Sequence, residues 1–150
     1  MLTPDRIVVH HSATRDTGTL SWTAIHDYHV NHNGWSDIGY HAGIERAGDQ
    51  YVCLFGRPDV LPGAHTIGQN RRSLGFVFVG NYDDDEPSPL MLRVAARRVL
   101  APWLLRLNLG VDALVPHRQY AYKSCPGDRF DMDKLRQVCA EEMDELRHTA

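Results

Sequence analysis

The chain has 150 residues, a formal charge of −3 and 43% hydrophobic residues, the profile of one globular domain spanning 1–150. No apolar run reaches the roughly 18 residues that suggest a membrane-spanning helix, and a mildly acidic chain lacks the clustered Lys/Arg of a nucleic-acid binder. Cys53, Cys125 and Cys139 form an odd set at irregular spacing, not a disulfide framework.

The predicted elements begin with a β-branched strand at Ile7–His10. Thr19 and Ser21 are helix-starting residues. Trp22, Ile25 and His29 recur at spacings of three and four before Gly34, which predicts a helix of about three turns. Gly39–Arg46 and Gln50–Leu54 read as strands joined by a hairpin at Ala47-Gly48-Asp49. Phe55–Arg72 is rich in Gly and Pro and reads as a long loop, a kind of segment that is usually functional. Ser73–Val79 is a second buried strand. Asn81–Pro89 is an exposed loop whose acidic run, Asp83–Glu86, is expected to stay solvated. Ser88-Pro89 starts a helix reaching about Leu107, which Pro102 is expected to kink or divide. A short strand at Ala113–Val115 follows. Asp131–Arg147 is an amphipathic helix with Leu135, Val138, Cys139, Met143 and Leu146 on one face. The fold class is α/β: a single domain with a mixed central sheet flanked by about three helices.

Histidine is the unusual residue. There are nine, seven of them between His10 and His65, and imidazole is the commonest metal ligand. His10 and His11 end the first strand. His117 follows the last one, and Cys125 lies eight residues further on, in HRQYAYKSCPG. Strand ends are where α/β folds place their sites. Two imidazoles and a thiolate make a three-ligand zinc set with one open position, and nitrogen and sulfur donors select zinc over magnesium or calcium. Taken alone, the spacing is a weak signal.

Four ordered segments add to it: IVVHHSAT at 7–14, GWSDIGYHAGIERAGDQY at 34–51, GAHTIGQNRRSLGFVFVGNY at 63–82 and HRQYAYKSCPGDRF at 117–130. Together they resemble the zinc-dependent N-acetylmuramoyl-L-alanine amidases of the superfamily containing phage-type lysozymes and peptidoglycan-recognition proteins. The resemblance implies Zn²⁺ held by His10, His117 and Cys125, with Tyr40 of the Gly-Tyr-His motif as the active-site tyrosine. Lys123, two residues before the ligand cysteine, matches the phage type. Recycling amidases of the cytoplasm carry aspartate as third ligand, a pattern from which Cys125 departs. The resemblance also places His65 in the substrate cleft, and Asn70 follows it in the same loop; both are expected to contact substrate. Lys123 suits stabilisation of a developing oxyanion. There is no HExxH helix, so the general base stays open between Tyr40 and a water already ionised by the metal.

Neighbours on a strand face opposite ways, so one of His10 and His11 faces the metal, and the motif favours His10. His29 reads as a packed core histidine, His26 and His32 as a partly solvated face, and His41 as structural. Trp35 and Asp37 read as scaffold for Tyr40, and Cys53 and Cys139 as inert thiols. The expected reaction is hydrolysis of the amide between N-acetylmuramic acid and L-alanine in peptidoglycan, by a monomer. An N-terminus without a visible signal peptide places it in the cytoplasm of the producing cell, acting on the wall after membrane failure as an endolysin does. A muropeptide-recycling amidase and a non-catalytic peptidoglycan-binding module are the alternatives.

Overall fold

The computed structural model describes residues 1–14 and 21–149; the helix-start reading at Thr19 lies outside the described residues. Among the described residues, five strands form one mixed sheet: β1 Arg6–His11, β2 Ala42–Ala47, β3 Gln50–Phe55, β4 Ser73–Phe78 and β5 Leu114–Pro116. Their order is β3-β2-β4-β1-β5, and only the β2–β3 hairpin is antiparallel. The helices are α1 Ser21–Asp27, α2 Pro89–Ala95, α3 Ala101–Arg106 and α4 Met132–Thr149. One π-helical turn, Tyr28–His32, extends α1, and another, Ala96–Leu100, joins α2 to α3. The described chain is thus a mixed sheet with three helical segments, as the sequence pattern predicts. None of the described helices is long and apolar enough to cross a membrane.

The two faces of the sheet are covered unequally. Ile7, Val9, Leu74, Phe76, Phe78 and Leu114 point toward α2, α3 and α4 and build the main core with Leu92, Leu100, Leu104 and Leu135. The other face carries a small cluster of Trp22, Ile38 and Val77. That thin cover leaves room for a groove along the sheet.

Most boundaries shift by a residue or two from the sequence reading; two features differ for a clear local reason. β2 begins at Ala42, not Gly39, because the Gly39 backbone pairs elsewhere: its N–H donates to His29 Nδ1 and its carbonyl accepts from Ala64 N–H. Pro102 interrupts its helix as expected, but by a π-helical turn between α2 and α3 and not by a break in the chain's helical course. Proline lacks an N–H and crowds the carbonyl four residues back; the wide turn before it, closed by Ala101 N–H to Ala96 O, lets the helix continue. Ser88 caps α2 as expected, its hydroxyl accepting from Met91 N–H.

Phe76 lies on the central strand β4, fully buried, with its ring edge-on to Phe78 and Trp103. Phe76→Ala is expected to destabilise the fold by about 3–5 kcal/mol through lost burial and the cavity left behind, measured by urea unfolding. A loss under about 1 kcal/mol, the scale of an ordinary point substitution, would show that this layer is not the main core.

Candidate active site

His10 is the second-to-last residue of β1 and points toward the thinly covered face. Its Nδ1 lies 3.8 Å from Cys125 Sγ, and its ring centre is 4.5 Å from that of His117. The ligand atoms of His10, His117 and Cys125 all lie within 4.8 Å of one another, the one such metal-capable cluster among the described residues. Bonds of roughly 2.0–2.3 Å in a tetrahedral zinc site separate nitrogen and sulfur donors by about 3.3–3.6 Å. The three donors therefore fit zinc with only slight closure.

Local structure explains how distant residues meet. His117 follows β5 directly and opens a short 3-10 turn. Arg118 N–H donates to Cys125 O at 2.8 Å, folding the loop back so that Cys125 returns beside His117. The Arg118 guanidinium braces the same loop through the carbonyls of Ser124 and Gly127. His11 turns away, as strand alternation requires: its Nδ1 accepts from Tyr82 N–H. Its backbone N–H still reaches the site and donates to Cys125 Sγ at 3.3 Å.

His10 Nε2 lies 2.9 Å from His65 Nδ1 and 3.2 Å from Thr66 Oγ1. A ring nitrogen so engaged leaves the other one free to ligate. His65 lies flat on Gly75 of β4, where any Cβ would collide with the imidazole. Its Nε2 lies 3.5 Å from Ser73 Oγ, whose hydroxyl donates to Gln69 O. Asn70 Oδ1 accepts from both His65 N–H and Thr66 N–H. His65 is thus turned toward His10, and Asn70 spends its carbonyl on the loop that carries His65; both still line the groove. Sequence reading missed Thr66, whose neighbour His65 was its only signal, and the opening at Gly75.

Burial lowers His10 well below the ordinary histidine range, with His65 and His117 adding to it. It lowers His65 to about 3 and His117 also, the latter helped by Lys123. The three imidazoles are therefore neutral at neutral pH, with lone pairs to offer. Burial pushes the Cys125 thiol up to about 11, against the pull of the His11 N–H and Lys123. A divalent cation reverses that balance and deprotonates a ligating thiol.

The groove floor holds about 550 Å³ and is walled by Trp35, Tyr40, His65, His117 and Lys123. Tyr40 stacks at a tilt near His10, 5.1 Å between ring centres. Burial, with Cys125 adding, raises its hydroxyl far above the usual value of 10. Lys123 is exposed at the rim. Trp35 packs on His29, whose Nδ1 takes Gly39 N–H, so the pair braces the turn leading to Tyr40. His26 and His32 are exposed and do not converge on the donor set.

A buried His–His–Cys donor set open to a groove is the arrangement of a metal-dependent hydrolase. The family model described as N-acetylmuramoyl-L-alanine amidase matches residues 1–128. The endolysin of Escherichia phage T7 is 32% identical over 132 residues, covering 87% of this chain and 83% of that one. The amidase LysC from Clostridium intestinale superposes with a TM-score of 0.78 at 26% identity, over 91% of this chain and 85% of that one. A Drosophila PGRP-LB variant in complex with tracheal cytotoxin superposes with a TM-score of 0.71 at 27% identity, over 87% of this chain and 79% of that one. The chain belongs to the N-acetylmuramoyl-L-alanine amidase family and is an enzyme, an amide hydrolase of peptidoglycan.

His41 supplies a pH-dependent element away from the donor set. Its Nε2–H donates to Leu61 O at 2.8 Å and its Nδ1 accepts from Gly75 N–H at 3.0 Å. Protonation would break the second bond, and burial lowers its folded-state pKa below 6.5. The unfolded chain then binds the extra proton, so stability is complete above pH 6.5 and falls as pH drops through and below that value. Urea unfolding of metal-free protein at pH 7.5 and 5.5 is expected to show this loss, and His41→Gln to reduce it. An unchanged slope in the variant would clear His41 of the effect.

Proposed function

We propose that this enzyme cuts the amide joining the lactyl group of N-acetylmuramic acid to L-alanine in the intact wall, as an endolysin does, with zinc held by His10, His117 and Cys125. One observation carries the reading: a buried imidazole–imidazole–thiol set, its donors within 4.8 Å, at the floor of a groove. What zinc supplies when bound is Lewis acidity toward the amide carbonyl and the attacking water.

The chain's own residues supply position and charge. Amide hydrolysis passes through a tetrahedral state whose oxygen gains negative charge. Lys123, at the rim beside Cys125, brings an ammonium to that charge. Tyr40, kept protonated by burial, acts as a hydrogen-bond donor rather than a base. His65 holds the His10 ring in its ligating orientation, and Asn70 shapes the loop behind it; in this reading both shape the groove wall next to the substrate. The groove continues past the donor set in two directions. One is toward Tyr28 and Ile25, the other toward Ile67 and Tyr120. The similarity to a phage endolysin over most of both chains supports the wall as substrate.

Release of L-alanine amino termini from purified sacculi tests the proposal. It is expected with native protein, to vanish with chelator and to return with zinc. Cys125→Ser is expected to lose both zinc and activity, and Lys123→Ala to lower kcat by roughly 10²–10³, the scale of one oxyanion donor. Release that survives chelation would sink the zinc reading. Cleavage of soluble muropeptides alone would transfer the enzyme to recycling.

A further inference from the structure

The acidic run at Asp83–Glu86 is not simply solvated. Asp83 Oδ2 accepts from the Ser124 hydroxyl at 3.0 Å and Asp83 Oδ1 from Asp128 N–H at 2.9 Å. These two bonds grip the Cys125 loop on both sides of the ligand. Arg129 adds to the grip: its N–H donates to Tyr82 O at 2.8 Å and its guanidinium to Asp84 O at 2.6 Å. Gly127, at φ +125°, lets the two backbones meet, since a Cβ there would run into the Tyr82 carbonyl. The segment Tyr82–Asp84 also reaches the other ligand strand, through Tyr82 N–H to His11 Nδ1. One short segment therefore touches both sides of the donor set.

We propose that Asp83 is a positioning residue for the metal: its carboxylate, bridging the Ser124 hydroxyl and Asp128 N–H, fixes the Cys125 sulfur relative to His10. This rests on the ligand set proposed above. The sulfur is aimed by the His11 N–H, by its approach to His10 Nδ1 and by the backbone of its loop. That backbone is anchored across a gap of 42 residues, from Asp83 to Cys125. Partners that orient a metal ligand are worth about 10–100-fold in metal affinity when removed.

The test is zinc affinity, by competition with a chromophoric chelator, together with the Co²⁺–thiolate absorption band and the thermal midpoint of the metal-free protein. Asp83→Ala is expected to bind zinc about 10–100-fold more weakly and to weaken or shift the Co²⁺ band. Asp83→Asn is expected to recover most of the affinity, because its amide still accepts from Asp128 N–H and donates to Ser124 Oγ. Ser124→Ala removes one grip only and is expected to lose affinity in the same direction by a smaller factor. A purely structural residue would lower the thermal midpoint and leave zinc affinity of the folded protein unchanged. Wild-type affinity and band in Asp83→Ala would overturn the inference, as would equal losses in Asp83→Asn and Asp83→Ala, which would make charge the cause. A wild-type protein that binds no zinc in the same titration would overturn the ligand set itself, and this inference with it.

Discussion

The orientation of the His10 ring is the interaction on which the site depends. Which nitrogen of an imidazole is offered to a metal is set by what the other one bonds to. Here Nε2 is committed to His65 and Thr66, so Nδ1 faces Cys125. Much of the surrounding loop serves that commitment. Asn70 folds the backbone that carries His65 and Thr66, Ser73 sits at the far nitrogen of His65, and Gly75 leaves the flat space on which the ring lies. The long Gly/Pro-rich stretch between β3 and β4 is thus a cradle for one side chain.

The same donor set explains why the sheet is covered unevenly. A buried group of two neutral imidazoles and a protonated thiol adds no ion pairing to the fold and exposes no charge. It needs hydrogen-bond partners and an open side instead. Packing of the α2–α4 layer supplies stability on one face and leaves the other to chemistry. Burial that would be a burden for a charged group here favours lone pairs that a cation can use.

The fold class and the strands were readable because each is written locally: β-branched runs, a hairpin turn and a capped helix start. The donor set was readable through the four ordered segments of the resemblance, since the spacing of two histidines and a cysteine is a weak signal alone. Alternation along β1 says only that one of His10 and His11 faces the groove; the motif singles out His10. The supports were not readable. Asp83 sits in an acidic run that looks solvated, and its role exists only because Ser124 and Asp128 arrive from the far end of the chain. Gly75 looks like a weak strand residue until His65 is placed on it. The β2 boundary moved because Gly39 gives its backbone groups to α1's extension and a loop, partners no local pattern encodes. His65 and Asn70 were recognisable as groove residues, but the direction their polar atoms face came only from tertiary structure.

The parallel pairing of β1 with β4 and β5 has a consequence for how the enzyme comes into being. The register joins Ile7 to Leu114 and Val9 to Pro116, and two members of the donor set, His10 and Cys125, are 115 residues apart. Closing contacts of such separation costs chain entropy before any reward arrives, and topologies built on them fold slowly. A chain still emerging from the ribosome holds His10 long before it holds His117 or Cys125. The growing polypeptide therefore cannot assemble the donor set until Cys125 has been made, so the timing of activity is set by topology as well as by chemistry.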